Sequence, residues 1–126
     1  MSETGLLPAY LIVGTDGVKR DHAVSRMKAR LEKSGMVEFN LDERDMTKDS
    51  DIESIIGSLN TFPMGNEFRL VILDGCSKLA KAVSEPLVEY LASPSPTTVC
   101  LIIADSLAKN TRLYKAIAKI DKKAIV

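Results

Sequence analysis

Phe68-Arg69-Leu70-Val71-Ile72-Leu73-Asp74-Gly75 is a near-continuous apolar run that closes on an acid and a glycine. A run of this length, apolar on both faces, suits a strand in the middle of a parallel sheet, where neither face meets water. Immediately upstream lies Asn60-Thr61-Phe62-Pro63-Met64-Gly65. Pro63 ends the preceding helix, because proline lacks the amide that a helix interior needs. The turn itself is oily where loops are normally polar. Phe62 therefore either staples the helix end to the core or, together with Met64, meets a partner.

Outward from this stretch the chain alternates strand and helix. Ala9–Val13 is a short run of β-branched and aromatic residues between Pro8 and Gly14, the signature of a buried strand. After Gly14-Thr15-Asp16-Gly17, Asp16 or Asp21 can cap a helix whose Val24, Met27 and Leu31 share one face and which ends at Ser34-Gly35. Met36–Leu41 alternates, with Val37, Phe39 and Leu41 on one side, which predicts a half-buried edge strand. Asp42–Asp49 reads as a charged loop, and Ser50-Asp51-Ile52-Glu53 as a capping box opening a helix with an Ile52, Ile55, Ile56, Leu59 stripe.

Beyond Gly75, Ser77–Ala92 is helical with Pro86 inside it, which predicts two pieces, the second starting at Ser84. Ser93–Pro96 is a loop, Thr97–Ala104 the most apolar strand, and a helix runs from Asp105-Ser106 through Tyr114 and Ile117. Ala124-Ile125-Val126 begins a fifth strand. The alternation predicts a three-layer α/β domain with a five-stranded, mainly parallel sheet. A chain that stops on an uncovered strand suggests a piece of a longer protein.

The bulk numbers agree with one domain spanning residues 1–126. Hydrophobic residues make up 45% and charged residues 27%, and 17 basic side chains balance 17 acidic ones. Overall charge thus gives no reason to expect nucleic acid or an anionic membrane as partner. Cys76 and Cys100 are isolated and read as reduced structural thiols of a cytoplasmic protein. The start, M-S-E-T-G-L-L-P, lacks the basic region and apolar run of a signal peptide. No segment approaches the length of a membrane span.

Ligands of open α/β sheets bind beyond the carboxyl ends of the strands. There the chain carries Gly14-Thr15-Asp16-Gly17-Val18-Lys19-Arg20-Asp21. Gly14, Gly17 and Lys19 are the remnant of a phosphate-binding loop. The Gly-Lys-Ser/Thr triplet is missing, and Asp16 and Asp21 would repel phosphate. Val71-Ile72-Leu73-Asp74 likewise lacks the second acid of a nucleotide-hydrolysing strand. The expectation is therefore no enzyme, no catalytic residue, no cofactor and no metal. One alternative is a receiver-like signalling domain phosphorylated on Asp74, although only Asp16 follows the first strand, where an acidic pair is needed to hold Mg²⁺. His22 stands alone and reads as a helix-start residue. Arg112, Lys115 and Lys119 share a helical face opposite Leu113 and Ile117. That is a solvated face or a generic phosphate-tracking one.

Read together, A-Y-L-I-V-G-T-D, F-N-L-D-E-R, T-F-P-M-G-N-E-F-R-L-V-I-L and L-I-I-A-D-S-L-A-K-N-T-R-L-Y-K-A-I-A-K occur in one order. From about Ala9 to the end, this order resembles the N-terminal domain of the delta subunit of the bacterial DNA polymerase III clamp loader. The resemblance implies an AAA+-type fold that has lost nucleotide binding and a role in binding and opening the ring-shaped sliding clamp. It also implies contact with other loader subunits through lid and collar domains absent from these residues, and at most weak or indirect contact with DNA. The family's clamp-binding element, often T-L-P-L-F-G, falls on Thr61, Phe62, Pro63, Met64 and Gly65. Gly65 stands where the family usually has phenylalanine, the larger of two apolar anchors, so either Phe62 and Met64 supply the plug with altered geometry or the correspondence shifts by one residue.

Overall fold

The computed structural model describes residues 5–47 and 50–126. The first four residues, and Lys48 and Asp49 of the expected charged loop, lie outside them. Four strands form one parallel sheet: β1 (Ala9–Val13), β2 (Leu41–Asp45), β3 (Arg69–Asp74) and β4 (Thr98–Ala104), in the order β1-β4-β3-β2. The apolar runs read as strands occupy the middle, and β4 is buried along its whole length. The expected fifth strand is reduced to a single bridge, Leu11 to Ile125, closed by Val126 N–H donating to the Leu11 carbonyl at 2.8 Å. Lys122–Ala124, a short 3-10 turn, takes up the residues that would have extended it.

The period-two alternation of β3 and β4 sends side chains to opposite faces of the sheet. Val71, Leu73, Cys100 and Ile102 join a core with α3 (Ile52–Leu59), α4 (Lys81–Ala92) and α5 (Arg112–Ile120). Leu70, Ile72, Val99, Leu101 and Ile103 join a second core with Leu31 and the Val24–Met27 face of α1 (Gly17–Ser34). The three layers follow directly. Cys76 and Cys100 are free and buried in the first core, and burial pushes both thiols up, Cys76 to about 12.

Several local expectations are corrected. Met36–Leu41 is not the edge strand. Val37–Asn40 is a one-turn helix, α2, and the edge strand β2 comes next, at Leu41–Asp45, inside the stretch read as a loop. Asp51, not Ser50, caps α3 by accepting from Ser54 N–H at 3.2 Å. The Ser50 hydroxyl instead accepts from Thr47 N–H at 2.8 Å. The break before α4 falls at Ala80, whose carbonyl accepts from Val83 and Ser84, so Pro86 lies inside the helix and not in its first turn. Of the two candidate caps for α1, Asp16 is the one used, accepting from Lys19 N–H at 3.1 Å.

Candidate functional site

The turn between α3 and β3 sits at the amino-terminal end of the strands, opposite the end where nucleotide-like ligands bind. Phe62 is 79% exposed and Met64 57% exposed. Phe62 therefore does not staple the helix to the core, and both side chains project from the fold. Pro63 is half-buried between them.

The frame under these exposed side chains is densely hydrogen-bonded. A helix leaves its last four carbonyls without intrahelical donors, and in α3 each has found a partner. Ile56 O accepts from Asn60 N–H and Gly57 O from the Thr61 hydroxyl at 2.7 Å. Ser58 O accepts from Arg69 Nε at 3.0 Å, and Leu59 O from the Tyr90 hydroxyl at 3.4 Å. Burial pushes the Tyr90 phenol up to about 12, so it remains a donor throughout the working pH range. Arg69 also donates from Nη1 to Phe39 O at 2.9 Å and from Nη2 to Ser58 Oγ at 2.7 Å. One guanidinium thus ties α2, α3 and the start of β3 together.

Ser58 Oγ donates in turn to Asp42, which also takes a forked pair from Arg44 at 2.9–3.2 Å. Partial burial pushes the Asp42 carboxyl up. The hydrogen bonds from Arg44 and Ser58, with the charges of Arg44 and Arg69, outweigh burial and leave it below its usual value. The network is therefore held in its charged form.

Asn40 fixes the tip of the turn. Fully buried, it accepts from Met64 N–H at 2.7 Å and donates to Met64 O at 2.8 Å and Met36 O at 2.9 Å. Gly65 has φ +63°, and a Cβ there would clash with Met36 Sδ. The space that a side chain at position 65 would need is taken by the Met36 side chain. Asn40, Ser58, Arg69 and Tyr90 carry no sequence signal for this role, because, apart from the Met36 carbonyl four residues before Asn40, the partners that fix the turn are 11 to 31 residues away.

At the opposite end, Gly14, Gly17 and Lys19 are placed around the start of α1. The Asp16 carboxylate occupies the helix N-terminus, and Arg20 pairs with Asp105 at 3.1 Å. The adjoining hollow of about 320 Å³ is lined by Asp21, Glu43, Asp45 and Asp74 along with Arg20 and Arg44. It suits a trianionic phosphate chain poorly. Among the described residues no group of three or more His, Cys, Asp or Glu is placed to hold a metal ion, and no helix is long and apolar enough to cross a membrane.

The receiver alternative meets a topological obstacle as well. A receiver sheet runs 2-1-3-4-5, with its first strand between the second and third. Here β3 lies between β4 and β2, and β1 pairs with β4. Arg112, Lys115 and Lys119 do share a face, as expected, but they border an apolar groove of about 580 Å³ between α4 and α5, with Val88, Leu91 and Ile120 on its walls. Arg112 is paired with Glu85 at 2.9 Å.

Residues 10–126 match the family model described as DNA polymerase III, delta subunit. Among solved structures, the chain is similar to the DNA clamp loader delta protein of Bacillus subtilis, with 25% identity and a TM-score of 0.82 over 98% of this chain and 39% of that one. A DNA polymerase III gamma subunit-related protein of Thermotoga maritima shares the fold, with a TM-score of 0.70 and 19% identity over 94% of this chain and 40% of that one. The chain thus spans about two fifths of the length of these solved relatives. No curated protein gives a significant match.

Proposed function

The chain belongs to the DNA polymerase III delta subunit family, and from that premise we propose that it binds the DNA sliding clamp and helps to open it during clamp loading, without catalysing a reaction itself. The observation that carries the reading is the exposure of Phe62 and Met64 on a turn whose backbone is anchored at Thr61 and Met64 and whose preceding helix end is held by Arg69. Leaving large apolar side chains in water on a hydrogen-bonded frame gives the free domain nothing. It lowers the ordering cost of plugging a partner's hydrophobic pocket. Phe62, Pro63, Met64 and Gly65 are the proposed contact. Other clamp-loader subunits are partners of the longer protein, and DNA contact through Lys115 and Lys119 is at most weak and salt-sensitive.

The test is an equilibrium titration of purified sliding clamp with this chain and with the double variant Phe62→Ala/Met64→Ala. Each side chain buried in a partner contributes about 1.5–3 kcal/mol, so the pair is expected to lose roughly a hundredfold or more in affinity. Melting should be unchanged, because neither side chain packs on the core. Equal affinity of the two proteins would falsify the assignment.

We read the nucleotide site of this AAA+-type domain as lost. Asp16 satisfies the amide that a phosphate would otherwise meet, and Arg20 is committed to Asp105. Isothermal titration with MgATP is therefore expected to give no saturable heat at millimolar nucleotide. A measurable affinity would restore Gly14–Asp21 as a working loop.

A further inference from the structure

We propose that the clamp-contacting surface is discontinuous, with Phe39 and Met36 of the α2 segment forming a second apolar anchor beside Phe62 and Met64. The inference rests on the clamp reading of the turn and extends it to residues outside the linear motif. Among the described residues six large hydrophobic side chains are exposed, and four of them are Met36, Phe39, Phe62 and Met64. They come from two segments that are distant in sequence and joined in space. Asn40 bonds both Met36 O and the main chain of Met64, Arg69 bonds both Phe39 O and Ser58 O, and Met36 Sδ lies against Gly65.

Two features mark α2 as more than a packing element, although its Val37 packs against the second core. Met36 is the one non-glycine with positive φ among the described residues, at +55°, a conformation that costs a β-carbon-bearing residue energy and concentrates at functional positions. Phe39 is 51% exposed, while Val37 of the same turn packs against the core. The border of the patch is charged: Lys33 and Glu67 line a shallow depression with Gly65 and Asn66. An apolar centre with a charged rim is the anatomy of a protein-binding surface. Gly65 explains the arrangement. It carries no side chain, and Met36 occupies the space one would need, so the second anchor comes from α2.

The experiment titrates sliding clamp with the wild-type chain, Met64→Ala, Phe39→Ala, Phe39→Leu and a synthetic peptide covering Leu59–Asn66. The discontinuous surface predicts that Phe39→Ala weakens binding about tenfold or more with an unchanged melting temperature, and that Phe39→Leu recovers most of the loss. The peptide, lacking α2, should bind at least a hundredfold more weakly than the folded chain. Loss with Met64→Ala but not with Phe39→Ala would overturn the second anchor and leave the turn in place. So would a peptide as tight as the domain. No loss with either substitution, or no binding by wild type, would remove both this inference and the clamp reading.

Discussion

Asn40→Ala is expected to lower the unfolding free energy by about 2–4 kcal/mol, since each buried partner left without its hydrogen bond costs about 1–3 kcal/mol. The melting temperature should fall on the order of 10 °C. Asn40 is fully buried, and its carboxamide serves three backbone groups: the N–H and O of Met64 and the O of Met36. Alanine removes the donor and the acceptor together and leaves a cavity between α2 and the turn. Asn40→Asp should be worse, because it keeps the acceptor for Met64 N–H, removes both donations and buries a charge. The consequence for function is separable from stability. Once the tip of the turn is untied, Met64 and Phe39 no longer share one frame, and the ordering cost of binding rises. Clamp affinity measured on the folded fraction should therefore fall as well. Denaturant titration followed by clamp titration below the melting transition checks both parts. A stability change under about 0.5 kcal/mol, the range of ordinary surface substitutions, would mean that water replaces the amide.

The contrast between what the sequence disclosed and what it concealed is physical. Phe68–Leu73 and Thr97–Ala104 were legible as central strands because a strand buried on both faces leaves no polar positions. The edge strand was not. Leu41-Asp42-Glu43-Arg44-Asp45 has no strand-like composition, and its charges are tolerated because they face solvent or pair, Asp42 with Arg44 and Glu43 with Lys28. Val37, Phe39 and Leu41 alternate as a strand would, yet Met36 enters the left-handed region and Asn40 closes a helical turn over it. The tertiary hydrogen bonds of Asn40 to the main chain of Met64 override the local period. At the site, Phe62 and Met64 announced themselves by being oily in a turn. Asn40, Ser58, Arg69 and Tyr90 could not, since a polar residue bonded to distant main chain looks the same in sequence as one bonded to water.

Leu73→Ala is the complementary experiment and is expected to cost about 2–5 kcal/mol, the range for truncating a fully buried leucine. Leu73 has no exposed surface and belongs to the core between the sheet and α3, α4 and α5. It lies near the carboxyl end of β3, roughly 13 Å along the strand from Arg69 at a rise of about 3.3 Å per residue. The cavity should therefore weaken the domain without loosening Arg69, Asn40 or the turn they hold. Affinity for the clamp, corrected for the unfolded fraction, should match wild type, the opposite of the expectation for Phe62→Ala/Met64→Ala. Linkage supplies an internal check. A partner that binds only the folded state at a hundred times its dissociation constant returns about 2.7 kcal/mol of stability. Saturating clamp should thus raise the melting temperature of Leu73→Ala and wild type alike, while leaving the turn variant unmoved. If Leu73→Ala instead lost clamp affinity in its folded fraction, the core and the turn would be coupled, and the hydrogen-bonded frame ascribed to Asn40 and Arg69 would not be what fixes the anchors.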